Sequence, residues 1–283
     1  MKLSFTKMQG AGNDYVYING FDYKLTAEQA EQLAIQLADR HFGIGGDGLV
    51  IIDPTDSADA RMRMYNADGS EGRMCGNAIR CVAKYIVDAK IAEKETVLID
   101  TLSGPKTIVM NSVTPLESIA TVDMGPASFA LPDIPVTSKE EQWIAHPFDT
   151  SQGTFPITTL SMGNPHGVVF MEEIESLDLP KLGAAFELHP SFPQRINTEF
   201  VVVHSPTEIS MRVWERGSGE TLACGTGACA AVAASVVNGH CDPETWITVH
   251  LLGGDLDIYY SEETIYMRGP ATIVFTGEIE VDI

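Results

Sequence analysis

An internal repeat constrains the fold of this chain more than any other feature of its sequence. The stretch Arg73–Tyr85 begins Arg-Met-Cys75-Gly-Asn and the stretch Leu222–Ala234 begins Leu-Ala-Cys224-Gly-Thr, an offset of 224 − 75 = 149 residues. The chain is therefore predicted to contain two like α/β domains that arose by internal duplication. Further segments align at this offset or at 151, namely Met62–Asn66 with Met211–Glu215, Glu71 with Glu220, Gly12-Asn13 with Gly163-Asn164, and Leu49–Ile52 with Phe200–Val203.

Each repeated cysteine stands at the start of a predicted helix, Gly76–Val87 in the first repeat and Gly225–Val237 in the second. A helix N-terminus carries unpaired N–H groups and about half a positive charge, so it attracts a carboxylate and lowers the pKa of a thiol. Like units in one chain are often related by an approximate two-fold axis, which predicts that Cys75 and Cys224 face each other. One thiol would then deprotonate a carbon while the other protonates its opposite face. The structural alternative is a pair of small residues buried in the core.

Composition excludes several classes of partner. The formal net charge of −21 argues against binding to nucleic acid or to an anionic membrane surface. Five cysteines without a Cys-x-x-Cys motif or a Cys/His ligand spacing predict neither a disulfide framework nor a metal site. Reduced thiols, an N-terminus without an apolar segment and no run of 18 apolar residues predict a soluble cytoplasmic protein.

The remaining patterns place the elements along the chain. Thr26 and Gln29 form a capping-box pattern before the periodic helix Ala27–Ala38. Gly43–Gly48 matches G-x-G-x-x-G, but a helix precedes it and a strand follows it, so it is predicted to be a turn rather than a nucleotide site. A composition break near Val122 and a Gly-Pro pair at Gly269 predict a first domain of residues 1–121 plus 270–283 and a second of residues 122–269.

A two-thiol reaction needs one thiolate and one thiol, so a nearby base must accept one proton. His166, in Asn-Pro-His-Gly, and Glu215 are the candidates for that base. The structural alternative for His166 is a residue that caps a turn or lies in solvent.

The cysteine motifs and their surroundings resemble the diaminopimelate epimerase family from Phe5 to about Gly277. The resemblance implies two pseudo-symmetric domains, each a mixed sheet wrapped around a central helix. It also implies cofactor-independent interconversion of LL- and meso-diaminopimelate, with Cys75 and Cys224 as paired acid and base, in a protein that is commonly a homodimer. The matching motifs are Gly-Ala-Gly-Asn13-Asp, Asn66-Ala-Asp-Gly-Ser, Cys75-Gly-Asn-Ala-Ile-Arg-Cys, Gly-Asn164-Pro-His166, Glu215-Arg216-Gly-Ser-Gly-Glu-Thr and Ala-Cys224-Gly-Thr-Gly.

The resemblance also assigns substrate contacts. Glu215 resembles the partner of the distal ammonium, and Asn13 matches a further substrate-contacting position. One departure is Gly48, where many relatives have a glutamine that contacts substrate. The distal carboxylate would be held by Asn66, Asn164, Asn197 and Arg216, and the reacting carboxylate by backbone N–H groups of Gly76, Asn77, Gly225 and Thr226.

Three other functions compete with this interpretation. A cofactor-independent racemase of another amino acid, such as histidine or lysine, would have no use for the asparagines and arginine assigned to a second carboxylate. A thiol hydrolase would need one activated cysteine and an oxyanion hole, which leaves the second cysteine unexplained. A non-catalytic binding module would show no low-pKa thiol.

Overall fold

A computed structural model of the chain describes residues 1–282; Ile283, the last residue of the predicted first domain, lies outside them. The chain divides into two compact units, one formed by residues 1–123 with the stretch from Arg268 onward, the other by residues 124–267. No helix within residues 1–282 is long and apolar enough to cross a membrane.

The described residues contain four α-helices, and the longest two are the helices predicted to follow the repeated cysteines. Helix α1 starts at the predicted capping box, in which the Thr26 side chain accepts from Gln29 N–H and the Gln29 side chain accepts in return. The helix after Cys224 ends before Gly239, which adopts a φ of 75° at the position where helices favour glycine. The helices are α1 (Ala27–Ala38), α2 (Gly76–Asp88), α3 (Leu179–Glu187) and α4 (Gly225–Val237).

Seventeen strands account for most of the remaining described chain, and the chain passes from one unit to the other within the eighth and the last of them. They are β1 (Lys2–Gly10), β2 (Asn13–Asn19), β3 (Gly48–Asp53), β4 (Ala60–Asn66), β5 (Glu71–Gly72), β6 (Thr96–Asp100), β7 (Lys106–Val113), β8 (Glu117–Gly125), β9 (His146–Thr150), β10 (Gly153–Ser161), β11 (Pro165–Phe170), β12 (Asn197–Ser205), β13 (Glu208–Glu215), β14 (Gly219–Glu220), β15 (Trp246–Leu251), β16 (Gly254–Tyr260) and β17 (Ile265–Glu280).

In the first unit, eight strands form a closed barrel around helix α2. Neighbouring strands pair in the order β17, β1, β2, β3, β4, β6, β7, β8, and β8 pairs back with β17. The pairs β2–β3 and β4–β6 are parallel and the other pairs with a described register are antiparallel, so the sheet is mixed. Helix α2 contacts β1, β2, β4, β6 and β7, while α1 packs against β2, β3 and β4. The predicted central helix of this domain is confirmed.

The second unit repeats this arrangement. Its strands pair in the order β9, β10, β11, β12, β13, β15, β16, with parallel pairs β11–β12 and β13–β15 at the places of the parallel pairs in the first unit. Helix α4 contacts six of these strands, and its Ala-rich sequence fits a helix surrounded by apolar neighbours on all sides. The predicted fold class, two pseudo-symmetric α/β domains that each wrap a mixed sheet around a helix, is confirmed.

The strand registers correct one part of the repeat alignment. Strand β4 pairs Tyr65 with Leu49, and β13 pairs Trp214 with Thr198. Because Tyr65 and Trp214 are equivalent at an offset of 214 − 65 = 149, Leu49 is equivalent to Thr198 and not to Phe200. The predicted offset of 151 is therefore wrong for β3 and β12, where apolar runs two residues apart gave a similar pattern in either register.

Candidate active site

Cys75 and Cys224 occupy the same structural position in their units, the N-cap of the central helix. Both have extended backbone dihedral angles, and both sulfurs accept a hydrogen bond from the backbone N–H three residues on. The donors are Ala78 N–H, at 3.5 Å from the Cys75 sulfur, and Gly227 N–H, at 3.3 Å from the Cys224 sulfur. A capping sulfur thus takes the place of the usual capping oxygen, next to the positive end of the helix dipole.

In the first unit, Asn13 connects Cys75 to a charged network. The Cys75 thiol lies 3.2 Å from Asn13 Oδ1, and Asn13 Nδ2 donates to Asp47 Oδ2 at 2.6 Å. Asp47 in turn accepts from Asp14 N–H and from the Arg40 guanidinium, at 3.0 Å each. The turn between β1 and β2 therefore presents the Asn13 amide in an orientation that is fixed by the Asp47 carboxylate behind it.

A buried arginine supports the first turn of α2. The Arg80 side chain has no exposed surface, and its guanidinium donates to the Gly76 carbonyl, to Asn77 Oδ1 and to the Pro270 carbonyl at 3.0–3.2 Å. Asn77 is itself 1% exposed. Two residues predicted to bind the reacting carboxylate, Gly76 and Asn77, are thus held by a cation that the sequence analysis did not single out.

Two other positions of the first unit that the resemblance singles out are Asn66, at the end of β4, and Gly48, at the start of β3. Asn66 is exposed at the end of β4 and donates to Ser70 Oγ at 2.9 Å, with no contact to Cys75 described in residues 1–282. Gly48 lies buried beside Tyr15, where an added Cβ would be 2.0 Å from the Tyr65 carbonyl oxygen. A glutamine, which the family resemblance implies at this position, does not fit this backbone.

In the second unit, Cys224 lies among hydroxyl and carboxyl groups. Its sulfur is 3.5 Å from Thr226 Oγ1, and the Glu215 carboxyl group lies close enough to raise the pKa of the thiol. Glu215 also accepts a short hydrogen bond from the Thr221 hydroxyl. Gly225 begins α4 directly after the cysteine, so Cys224, Glu215 and Thr226 share one site.

His166 is fully buried and bonded on both ring nitrogens. Nδ1 lies 2.7 Å from Glu199 Oε1, and Nε2 lies 3.0 Å from Asn164 Oδ1. Asn164 Nδ2 then reaches Thr226 Oγ1 at 3.3 Å. Thr226 touches the Cys224 sulfur, so the predicted residues His166, Asn164, Thr226 and Cys224 form one continuous chain of contacts. The alternative that His166 lies in solvent is wrong because the ring has no exposed surface.

Asn197 and Arg216 are neighbours, but they differ in exposure. Asn197 is 4% exposed, donates to the Pro165 carbonyl at 2.8 Å and accepts from Arg216 N–H at 2.9 Å. The Arg216 side chain is exposed and donates to the Gln194 carbonyl at 3.1 Å. The Asn197 amide therefore already serves to hold the backbone from which Arg216 projects.

The electrostatic environment of Cys224 is opposite to the one predicted. Burial raises the pKa of the Cys224 thiol well above its usual range, and the nearby carboxyl groups of Glu215 and Glu199 raise this pKa further. Hydrogen bonds from Thr226 and from Gly227 N–H act in the other direction but do not compensate. Burial likewise raises the pKa of the Glu215 carboxyl group. The predicted lowering of the thiol pKa at a helix start is thus wrong for Cys224, because desolvation and negative neighbours outweigh the helix N-terminus.

Glu199 is a residue of this site that the sequence analysis missed. It is fully buried in β12 between the candidate base His166 and the first turn of α4, and burial raises the pKa of its carboxyl group. The one available signal was a charged residue inside the apolar pattern Asn-Thr-Glu-Phe-Val-Val, which the two-residue error in the repeat alignment concealed. Within residues 1–282, no three His, Cys, Asp or Glu side chains are grouped so as to hold a metal ion.

The chain is similar to known proteins over nearly its full length. Residues 5–130 and 158–274 match the model of a family described as diaminopimelate epimerase. A diaminopimelate epimerase of Desulfovibrio desulfuricans is 50% identical over 98% of each chain, and one of Acetivibrio thermocellus is 47% identical over 99% of each chain.

Solved structures with much lower identity share the fold. A phenazine biosynthesis protein of the PhzF family from Bacillus anthracis is 17% identical and superposes with a TM-score of 0.70, over 99% of this chain and 100% of that one. A probable proline racemase from Agrobacterium radiobacter is 14% identical with a TM-score of 0.69, over 99% and 93%. These two structures establish the duplicated fold alone. The family match and the two closely similar relatives establish more: this chain belongs to the diaminopimelate epimerase family.

Proposed function

We propose that the protein interconverts LL- and meso-2,6-diaminopimelate, a step in the biosynthesis of lysine and of cell-wall precursors, without an organic cofactor or a metal ion. The observation that carries the proposal is the pair of equivalent N-cap cysteines in a chain of this family. Each thiol lies at the positive end of a helix whose N–H groups suit a carboxylate, which is the group attached to the carbon that would react.

The proposed reaction uses one thiolate and one thiol. The thiolate removes the α-proton and becomes a thiol, and the electron pair left on the α-carbon is delocalised into the adjacent carboxylate. Backbone N–H groups of Gly76, Asn77, Gly225 and Thr226 would stabilise the charge that develops on that carboxylate. The other cysteine then donates its proton to the opposite face of the carbon and becomes the thiolate. Protons balance, and the configuration at that carbon is inverted.

The environment of Cys224 suits the role of proton donor in this scheme. A buried thiol with a raised pKa beside two carboxyl groups keeps its proton near neutral pH. For the reverse direction Cys224 must lose that proton, and Glu215, whose nearby carboxyl group affects the pKa of this thiol, is the proposed acceptor, with His166 acting through Asn164 and Thr226. The charge of a bound ammonium group near Glu215 would lower the cost of forming the thiolate.

The non-reacting end of the substrate needs its own contacts. We propose that Arg216, together with Asn66, Asn164 and Asn197, holds the distal carboxylate and that Asn13 contributes a further contact. The exposed guanidinium of Arg216 is available for a bidentate contact with a carboxylate. A racemase of a monocarboxylic amino acid would have no use for this set, which is why we favour diaminopimelate.

The proposal is tested by incubating LL-diaminopimelate with the purified protein in D₂O under reducing conditions. We expect deuterium at the α-carbon and formation of the meso isomer until the two are balanced, with no stimulation by pyridoxal phosphate or by divalent metal ions. Histidine, lysine and proline serve as comparison substrates. Exchange on one of these and none on diaminopimelate would select the alternative racemase, and no exchange on any of them would contradict the proposal.

We also propose that the protein acts in the cytoplasm and as a homodimer. Its five cysteines form no disulfide within residues 1–282, and two of them would have to stay reduced to act as acid and base. Sedimentation equilibrium of the reduced protein tests the dimer, and a mass of one chain at micromolar concentration would contradict it.

A further inference from the structure

Glu199 begins a chain of polar contacts that ends at the Cys224 sulfur. Its Oε1 lies 2.7 Å from His166 Nδ1, and His166 Nε2 lies 3.0 Å from Asn164 Oδ1. Asn164 Nδ2 lies 3.3 Å from Thr226 Oγ1, which is 3.5 Å from the sulfur. Glu199 and His166 have no exposed surface. The two residues therefore communicate with the site through fixed contacts rather than through solvent.

The other half of the molecule shows that the fold does not require this buried pair. The strand registers make Val50 equivalent to Glu199 and Tyr15 equivalent to His166. Both residues of the first unit are buried, with exposures of 0% and 4%. The same two neighbouring strands are thus packed with an aliphatic and an aromatic residue in one unit and with a carboxyl group and an imidazole in the other.

A glycine in the first turn of α4, Gly227, makes room for the Glu199 side chain. Gly227 is equivalent to Ala78 at the offset of 227 − 78 = 149, and a Cβ on Gly227 would lie 2.7 Å from Glu199 Oε1. The second unit thus has a glycine where the first unit has alanine, and the glycine leaves the space that the Glu199 carboxyl group occupies. Three equivalent positions differ together, and their changes are mutually compatible.

The pair is also costly to bury. Glu199 Oε2 is buried without a hydrogen-bond partner among residues 1–282. A buried polar atom without a partner lowers stability, and a buried ion pair is often no more stable than the apolar residues that could replace it. Together with the valine and tyrosine at the equivalent positions of the first unit, this cost points to a role for Glu199 in the reaction rather than in folding.

We propose that Glu199 is a positioning residue for the epimerisation proposed above, acting through His166 to set the orientation of the Asn164 amide. Burial raises the pKa of the Glu199 carboxyl group, and a protonated carboxyl group donates to Nδ1, so the ring then carries its hydrogen on Nε2 and donates it to Asn164 Oδ1. The amide then has its Nδ2 directed at Thr226 and its oxygen directed away. Without Glu199, the hydrogen is free to move to Nδ1, so that Nε2 accepts a hydrogen bond and the amide reverses.

Cys224 and Glu215 are the other titratable groups that face the pair. Fixing the Asn164 amide presents N–H donors to Thr226 and to any carboxylate bound there. An amide turned the other way would present an oxygen and repel that carboxylate.

The inference is tested with Glu199→Val, which copies the equivalent residue of the first unit, and with Glu199→Gln, which keeps a hydrogen-bond partner for Nδ1. The measurements are kcat and KM for diaminopimelate and the ¹⁵N spectrum of His166, assigned against His166→Gln. We expect Glu199→Val to show the Nδ1-protonated tautomer and to lower kcat about 10- to 100-fold, by analogy with the loss of the outer partner of a metal-ligating histidine. Glu199→Gln should keep more of the Nε2-protonated form and an intermediate kcat.

Two control variants and the choice of measurement make the result decisive. Glu208→Gln removes a carboxylate 2.9 Å from His250 Nε2 at an exposed place in the same unit, and it should leave kcat and the His166 spectrum unchanged. The double variant Glu199→Val/His166→Tyr copies the pair of the first unit and should fold with a melting temperature no lower than that of the wild type. The ¹⁵N spectrum requires no turnover, so it tests the effect of Glu199 on the His166 tautomer separately from activity on diaminopimelate, whose absence in the wild-type protein would refute the proposed function alone.

Several results would overturn the inference. They are an unchanged His166 tautomer in Glu199→Val, a kcat within about twofold of the wild type, or a double variant that does not fold. A Glu199→Gln variant that keeps the wild-type tautomer and yet is as slow as Glu199→Val would instead show that Glu199 transfers a proton.

Discussion

Two opposing local influences act on the thiol–thiolate equilibrium of Cys224. The backbone N–H of Gly227 and the helix N-terminus favour a thiolate, whereas burial and the carboxyl groups of Glu215 and Glu199 favour the thiol. The second influence is the stronger, and the pKa of the Cys224 thiol is raised. In the proposed reaction Cys224 exchanges a proton in both directions, so it depends on its neighbours to form the thiolate, and a change to any one of them should alter its reactivity.

Glu215→Gln tests this dependence directly. Removing a negative charge next to the sulfur favours the thiolate, so we expect the pKa of Cys224 to fall and its alkylation by iodoacetamide to begin at lower pH. Mass spectrometry of the labelled peptide distinguishes Cys224 from the other cysteines. Turnover should fall despite the more acidic thiol, because the proposed proton acceptor is lost. Glu208→Gln is the matched control, and an unchanged or higher pKa in Glu215→Gln would contradict the assigned electrostatics.

Arg216→Ala tests the assignment of the distal carboxylate. The side chain is exposed and its one described side-chain contact is with the Gln194 carbonyl, so the variant should fold with little loss of stability. Losing a charge-assisted contact to a desolvated carboxylate should cost about 2–5 kcal/mol of transition-state stabilisation. The loss is measured as a lower kcat/KM. Arg216→Lys, which keeps the charge without the planar fork, should be intermediate.

A neighbouring arginine supplies the control for that experiment. Arg195 is also exposed and pairs with Glu187 at 3.2 Å, and no contact of its side chain with Cys224 or His166 is described within residues 1–282. Arg195→Ala should leave kcat/KM within about twofold, since exposed ion pairs contribute little. Equal losses in the two arginine variants would mean that the distal assignment of Arg216 is wrong.

At the scale of the elements, the packing at the start of β3 predicts the effect of a glutamine at position 48. A Cβ on Gly48 would lie 2.0 Å from the Tyr65 carbonyl oxygen and 2.9 Å from the Tyr15 ring. Gly48→Gln should therefore lower the free energy of unfolding by about 1–3 kcal/mol, the usual cost of overpacking, rather than add a substrate contact. Urea denaturation measures the loss. A variant as stable as the wild type with a lower KM would show that the strand adjusts and that the glutamine can serve here.

The elements that the sequence predicted well have strong local signals. The limits of α1 and α4 were predicted to the residue, because a capping box, helical periodicity and a terminal glycine mark their ends. Strands β8 and β9 were missed. The first ends in the Gly125-Pro126 break that looked like a domain crossing, and the second lies in a Pro-rich segment whose strand pairing comes from β10. Pairing with a distant strand leaves no periodic signal in so short a segment.

In the site, likewise, features that depend on local sequence were predicted and features that depend on tertiary contacts were not. The positions of Cys75 and Cys224 at the helix starts, and the grouping of His166, Asn164, Glu215 and Thr226 near Cys224, follow from motifs that are readable along the chain. The raised pKa of the Cys224 thiol does not, because it depends on how many buried carboxyl groups surround one sulfur. Glu199 was missed for a related reason, since only the strand register reveals that it replaces a valine.

At the scale of the whole molecule, duplication supplies two equivalent thiols with unequal surroundings. Cys75 donates a hydrogen bond to the Asn13 amide oxygen, and the Asp47 carboxylate orients that amide. Cys224, in contrast, is surrounded by Glu215, Glu199 and Thr226. The fold is repeated, but the polar groups are not. Such asymmetry suits a substrate whose two ends are chemically alike, because only one end should react.

The last prediction tests the division of labour between these two thiols. In the proposed reaction each configuration at the reacting carbon is deprotonated by a different cysteine, so Cys75→Ser and Cys224→Ser should each lose most of the epimerisation. A serine hydroxyl is far less acidic than a thiol and does not supply a comparable base near neutral pH. Cys81→Ser, at a buried thiol whose pKa is raised to about 11, serves as the control and should keep near-normal turnover if it folds.

Each active-site variant keeps one thiol, which can still remove a proton from the isomer that presents its hydrogen on that side. One variant should therefore retain solvent deuterium exchange chiefly with LL-diaminopimelate and the other chiefly with the meso isomer, as measured by mass spectrometry of the recovered substrate. The unequal surroundings also predict unequal residual rates, with the slower variant being the one that relies on Cys224 as the base, because the thiolate of Cys224 is the harder one to form. The same isomer preference in both variants would mean that one cysteine serves both faces of the carbon, and the two-thiol reaction would have to be abandoned.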